Sequence, residues 1–363
     1  MKVGHNDGLD GVMAGETVLS HVDGEAGTLI VRGHHIETLA PHGDLEDVAA
    51  LLWEGFAEGG GDPGDVRRGL GAARCQAFAL VPGLLSVSRE LTPIEALRVG
   101  LAMLPDEGPA PAHQRVCGAL PVFLAALLRH GAGQAPVAPD AALGTAADLL
   151  RMLRGTPAPQ PHVRALDTYL ATVADHGFNA STFTARVVAS TRAGLISSVI
   201  GGLCALKGPL HGGAPGPVLD MLDEIGTVEN VVPWLEKAIT DGGRLMGFGH
   251  RIYKVRDPRA DVLKQVARDL GPASGRLAFA GEVERQALAA LRRLKPGRRL
   301  DTNVEFYTAL VLEAIGIPRA AFTPLFGVAR AVGWCAHVFE QERGGRIIRP
   351  LSRYVGPLPK QAA

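Results

Sequence analysis

The stretch "TNVEFYTALVLEAIG", Thr302 to Gly316, sets one carboxylate, Glu305, at the front of an otherwise almost wholly apolar run. Two kinds of chemistry suit that acid. Thr302 followed three residues later by Glu305 fits a capping box, the hydroxyl capping an early helix N–H while the acid reaches back. A carboxylate in a dry site at a helix start can instead act as a base. His211, in "GPLHGGAPG", stands between Pro209 and the pair Gly212-Gly213, and glycines there permit close approach of a ligand. It reads equally as a histidine set against a helix C-terminal dipole. An HGG loop is similar to the oxyanion loop of serine hydrolases, but no G-x-S-x-G elbow occurs in the chain.

His250 sits in the densest stretch, "GFGHRIYKVRDPR". Gly247 and Gly249 frame it, and Arg251, Lys254, Arg256 and Arg259 follow within nine residues. A glycine-framed histidine followed by four cations suits a phosphate or carboxylate, with a solvated basic loop as the bland alternative. No strand precedes these glycines, so the stretch is neither a Rossmann nor a Walker loop. His176, in "ADHGFNAST", is followed by Gly177 as a helix stop, with Asn179 or Ser181 as the next cap. Metal binding is disfavoured, since no HExxH or other close ligand pair occurs. His34 and His35 are adjacent, and neighbours on a strand face opposite sides.

The elements that must position these residues are helical. After a β-prone opening, "ETVLSHVDGEAGTLIVRG", which predicts a small hairpin around "DGEAG", the 3.6-residue period dominates. Asp44 is placed to cap "LEDVAALLWEGF", and Thr92 with Pro93 to open "TPIEALRVGLAML". "RVCGALPVFLAALLRHG" and "LGTAADLLRMLRG" each stop at a glycine. Asp257-Pro258 is a good helix start, which puts Arg259 in the first turn. The reading is an all-α chain of about a dozen or more helices with little sheet.

Bulk properties restrict the function classes. At 363 residues the chain can bury a full core, and 47% hydrophobic with 20% charged residues is ordinary for a globular protein. A formal net charge of zero gives no bulk pull toward nucleic acid or an anionic membrane. Anion recognition must therefore come from local Arg placement, and Arg outnumbers Lys 30 to 7. Cys75, Cys117, Cys204 and Cys335 show no CxxC or Cys/His spacing. All but Cys75 sit in apolar runs and are expected to be buried, inert thiols. The N-terminal stretch has no apolar signal region and no run reaches bilayer length, so a reducing cytoplasm is the expected compartment.

Taken in order, "DHGFNAST", "LKGPLHGGAP", "MGFGHRIYKVRDPRA", "NVEFY" and "LFGVARAVGWCAH" resemble the citrate synthase family, short bacterial type, across nearly the whole chain. The resemblance implies an all-α homodimer with a large domain (1–212 and 317–363), a smaller inserted domain (213–316) and an active site between them. It implies condensation of acetyl-CoA with oxaloacetate, then thioester hydrolysis to citrate and CoA. The alternatives are a 2-methylcitrate synthase using propionyl-CoA, or a catalytically silent homologue that binds CoA or a carboxylate. Carried over by motif, His211 stabilises the enol, Glu305 removes the α-proton and His250 polarises the ketone. His176, Arg259 and Arg330 hold the oxaloacetate carboxylates, joined by Arg349 reaching the partner's site. Lys254 and Arg256 meet CoA phosphates, and Phe326 lines the pocket. No metal or prosthetic group is required; the CoA thioester is a substrate. The chain departs from the family pattern at Glu305, where Asp is usual, at Gly177, where "DHEFN" is frequent, and at "RGHHIE".

Overall fold

The computed structural model describes residues 7–357 apart from 10, 213–214, 242, 244, 251, 272–274, 296 and 298–299. Among the described residues the chain forms sixteen α-helices and one three-stranded antiparallel sheet, as the periodicity predicts. The sheet runs β1 (Ser20–Asp23), β2 (Thr28–Val31) and β3 (His34–His35), with Ser20 opposite Val31 and Val31 opposite His34. Asp23 Oδ1 accepts the N–H groups of Glu25 and Ala26 at 2.9 Å each, which closes the "DGEAG" turn.

Helices then follow one another through short connections: α1 (Ile36–Leu39), α2 (Leu45–Trp53), α3 (Pro63–Phe78), α4 (Val81–Val87), α5 (Pro93–Ala102) and α6 (Ala112–Gly131). The caps fall where the residue types ask for them. Asp44 accepts from Asp47 N while Asp47 accepts from Asp44 N, a reciprocal capping box at the start of α2. Glu95 reaches back to the N–H and hydroxyl of Thr92 at the start of α5. The next group comprises α7 (Thr145–Arg154), ended by Gly155 at φ 81°, α8 (Gln160–Val173), α9 (Ala180–Ala189) and α10 (Leu195–Leu206).

The third group is α11 (Pro215–Ile225), α12 (Val231–Thr240), α13 (Pro258–Asp269), α14 (Gly275–Leu294) and α15 (Val304–Ala314), before the long α16 (Phe322–Gly344). α16 is apolar nearly all round, and a helix of that kind belongs in the interior. It packs against α2, α5, α6, α8, α9, α10 and α11 and buries sixteen of its residues, Arg330 among them. α13 lies against α15 and α8, α12 against α14, and α11 against α15. Through these packings the starts of α13 and α15 are brought side by side, and both carry site residues.

Two expectations about cysteines are met and one is corrected. Cys117 and Cys335 are buried with their sulfurs 3.9 Å apart, and Cys75 is exposed. Cys204, expected to be buried, is exposed. Its helix turns Gly202, Leu203 and Leu206 inward, and the 3.6-residue period then carries position 204 to the outer face. Among the described residues no single helix is long and apolar enough to cross a membrane.

Candidate active site

The loop carrying His250 and the segment before Glu305 are zipped together by their backbones. Phe248 pairs with Thr302, Gly249 N donates to Asp301 O (2.8 Å) and Asn303 N to Gly247 O (2.9 Å). The Asn303 amide adds a bond to Gly249 O at 2.8 Å. Gly247 sits at φ 82°, and a Cβ there would lie 2.8 Å from the Cβ of Phe306, so only glycine fits. The paired framing of His250 by glycines is thus a backbone requirement.

This pairing overturns the capping box predicted for Thr302. Thr302 is held extended against Phe248, so α15 begins one residue later and Asn303 is its N-cap, accepting Glu305 N at 3.0 Å. The Thr302 hydroxyl instead donates to Glu284 Oε1 at 2.8 Å, and the other Glu284 oxygen accepts from Tyr307 and Lys264 at 2.7 Å each. Glu305 is left in the first turn of α15 with its side chain on a cavity of about 1250 Å³. His176, His211, His250, Arg259, Phe326 and Arg330 line the same cavity.

Backbone N–H donors set which ring nitrogen carries the proton in His250 and in His211. His250 Nδ1 accepts the backbone N–H groups of Ile252 (3.0 Å) and Tyr253 (3.1 Å), so the ring proton sits on Nε2. That nitrogen stands 3.4 Å from Arg259 Nη2, so two donors converge on one spot suited to an oxygen. His211 Nε2 accepts Ser181 N at 3.3 Å and lies 2.8 Å from the Ser181 hydroxyl, which puts its proton on Nδ1. Asn179, the cap of α9, bonds both Ser181 N and Oγ, and Trp334 donates to the same hydroxyl. His176 Nε2 meets the Tyr253 hydroxyl at 3.1 Å, and its ring stands edge-on to His250 at 5.7 Å.

Burial makes these rings neutral. It pushes His250 down to about 4, helped by the Arg259 charge, and His211 down to about 4, helped by Arg330. His176 is driven well below the ordinary range by burial and then by Arg259. The two arginines remain cations. Burial lowers Arg330 to about 10, still far above neutrality; its Nε donates to Val173 O (2.7 Å) and its guanidinium covers the Phe326 ring at 4.6 Å. Burial opposes the charge of Arg259 too, but Asp257, Tyr253 and Glu305 together offset it and hold the group above its usual value. A cavity lined by neutral N–H donors, two guanidiniums and one carboxylate can bind a dicarboxylate, polarise carbonyl oxygens and take a proton from carbon.

Not every predicted site residue reaches the cavity. Lys254 binds the hairpin through its backbone, its N–H donating to Gly24 O at 2.8 Å, and its side chain is not among the lining groups. Arg256 is exposed and pairs with Asp261 and with Glu37 (3.5 Å). Arg349 lies exposed in the stretch after α16 that has no regular secondary structure, and does not line this subunit's cavity. Arg251 is outside the described residues. The sequence reading missed Tyr253, Asn303 and Glu284, and took Asp257 only for a helix start. It also missed the wall made by Gly8, Leu9 and residues 11–15. Tyr253 and Asp257 sit inside the "GFGHRIYKVRDPR" stretch, so the signal was present without a direction for the side chains. Among the described residues no group of three or more His, Cys, Asp or Glu is placed to hold a metal ion.

A family model described as "Citrate synthase, C-terminal domain" matches residues 8–351. The chain belongs to the citrate synthase family. It is a condensing enzyme of the transferase class. "Putative citrate synthase 2" of Mycobacterium tuberculosis H37Rv is 39% identical over 97% of this chain and 93% of its own. "2-methylcitrate synthase" of the same organism is 35% identical over 96% and 90%. The citrate synthase of Thermotoga maritima superposes with a TM-score of 0.86 at 34% identity, covering 98% of this chain and 97% of that one. That of Thermoplasma acidophilum, a ternary complex with carboxymethyl coenzyme A and oxaloacetate, gives 0.84 at 26% identity over 97% and 96%.

Proposed function

We propose that the chain condenses acetyl-CoA with oxaloacetate and hydrolyses the resulting thioester to citrate and CoA. The observation that carries this reading is the grouping of Glu305 with three neutral imidazoles and two guanidiniums around one cavity. The Thermoplasma neighbour, solved with a CoA analogue and oxaloacetate, supports the same substrate pair. Glu305 takes the proton from the thioester α-carbon while His211 Nδ1–H donates to the carbonyl oxygen that gains charge. The enol carbon then attacks the ketone carbon, whose oxygen is polarised by His250 Nε2–H and takes up a proton. Neutral imidazoles suit both tasks, because they donate without first surrendering a charge. Water finally cleaves the carbon–sulfur bond and CoA leaves as its thiol.

His176, Arg259 and Arg330 hold the two carboxylates, with the partner's Arg349 completing the site in a homodimer. Planar guanidinium forks match carboxylates better than ammonium groups do. Lys254 and Arg256 lie on the outer face of the His250 loop, where CoA phosphates would approach; Arg256 would exchange its surface ion pairs for them. Residues 213–316 form the smaller domain, which carries His250, Arg259 and Glu305, and its closure on the larger one excludes water.

The extra methylene of Glu305 takes up room beside the substrate α-carbon, which favours acetyl over the bulkier propionyl group. One methylene of discrimination is worth about 10- to 200-fold. The test is kcat/KM for both acyl-CoAs, followed by CoA thiol release at saturating oxaloacetate. Acetyl-CoA is expected to lead by about tenfold or more. A preference for propionyl-CoA makes this a 2-methylcitrate synthase, and no oxaloacetate-dependent CoA release from folded dimer makes it a silent binder.

A further inference from the structure

Asp257 is 1% exposed and makes more hydrogen bonds than a helix cap needs. Its Oδ1 accepts the backbone N–H of Arg259 at 3.1 Å, the ordinary capping bond of α13. The same oxygen accepts Arg259 Nε at 3.0 Å, and Oδ2 accepts Arg259 Nη2 at 2.9 Å, a bidentate grip on the guanidinium. The fourth bond leaves the helix. Oδ2 also accepts Val304 N at 3.1 Å, the first N–H of α15 and the one next to Glu305. One carboxylate oxygen is thus shared between the arginine nitrogen that faces His250 and the turn that bears the acid.

We infer that Asp257 is a positioning residue that couples the anion-binding guanidinium of Arg259 to the placement of the Glu305 carboxylate; this rests on the reading of Arg259 and Glu305 given above. A dicarboxylate that draws the guanidinium toward itself moves Oδ2, and through Val304 N it moves the first turn of α15. The base then comes into line when the second substrate is bound, and the thioester is not deprotonated to no purpose. Aspartate alone fits the position. Asparagine would turn an NH₂ toward donors on one side, either Arg259 Nε with Arg259 N or Arg259 Nη2 with Val304 N. Glutamate would be too long to cap α13 and hold the fork at once.

An amide-to-ester exchange at Val304, made by incorporating the α-hydroxy analogue of valine, isolates the coupling bond: it removes the N–H that Asp257 accepts and keeps the side chain. Proline would not serve, because its Cδ would take the place of the hydrogen and press on Oδ2. The ester adds no atom beside Asp257, so KM for oxaloacetate should hold within about twofold, while kcat falls by about tenfold or more relative to the amide enzyme. A merely structural bond would lower Tm and leave kcat per folded enzyme equal in the ester and amide forms, and that result overturns the proposal. Asp257→Asn should change both constants, raising KM for oxaloacetate and lowering kcat. If it does not fold, the ester and amide forms at Val304 still decide. Wild-type enzyme without oxaloacetate-dependent CoA release would instead sink the catalytic reading on which the coupling rests.

Discussion

Glu305 differs from the aspartate usual in its family by one methylene, and that methylene has to be accommodated by the backbone that presents it. Asn303 caps α15, Asp257 holds Val304 N and Glu284 ties down Thr302 and Tyr307, so the turn cannot slide to compensate for a shorter acid. Shortening the side chain draws the carboxylate back by about an ångström, and misplacement of that order costs about a hundredfold. Glu305→Asp should therefore lower kcat about a hundredfold with KM for oxaloacetate nearly unchanged. Glu305→Gln should abolish condensation yet still bind oxaloacetate by calorimetry, since Arg259 and Arg330 are untouched. Near-normal turnover in Glu305→Gln would refute the base assignment; near-normal turnover in Glu305→Asp would show a site not built around the longer acid. His176, His211, His250, Arg259 and Arg330 were legible in the sequence because each lies in a distinctive stretch. Asp257 and Asn303 were only half legible: a cap is a local signal, but the second partner of each, Val304 N for Asp257 and Gly249 O for Asn303, is remote in sequence.

At the scale of elements, helix starts were readable wherever the cap and its partner lie within four residues, as at Asp44, Thr92 and Asp257. Thr302 misled because a non-local strand-like pairing with Phe248 outweighed its local capping pattern. The hairpin was visible in the sequence, but its task was not. Its turn presses on the His250 loop: a Cβ on Gly24 would lie 2.2 Å from Ile252 O, and Lys254 N bonds Gly24 O at 2.8 Å. Ile252 and Tyr253 are the two residues whose N–H groups set the His250 tautomer. Gly24→Ala should thus push the loop and misalign His250, lowering kcat by about tenfold or more for an overpacking cost of about 1–3 kcal/mol. The readouts are turnover and urea unfolding of the same preparation. A loss of stability with intact kcat would mean that the hairpin braces the fold and not the site.

The whole molecule poses a question one chain cannot close on itself, because Arg349 carries the third guanidinium assigned to the dicarboxylate yet stands outside this subunit's cavity. It lies in an irregular stretch beyond α16 that also exposes Ile347, Leu351, Tyr354 and Val355 at 61%, 94%, 68% and 80%. Large apolar side chains left bare in one continuous arm mark a surface that another body covers. A twofold dimer in which each arm reaches the other's cavity satisfies both observations, since such an interface exchanges the same contact in both directions. Crossed sites make a prediction that separate sites cannot imitate. Arg349→Ala and Glu305→Gln dimers should each be inactive. If unfolded together and refolded, half of the dimers are mixed, and each mixed dimer holds one site with both defects and one with none. Activity should return to about a quarter of wild type. With Arg349 serving its own subunit, every site in the mixture keeps one defect, and no activity returns. Sedimentation of the refolded mixture confirms that dimers formed, so a silent result would count against the exchanged arm.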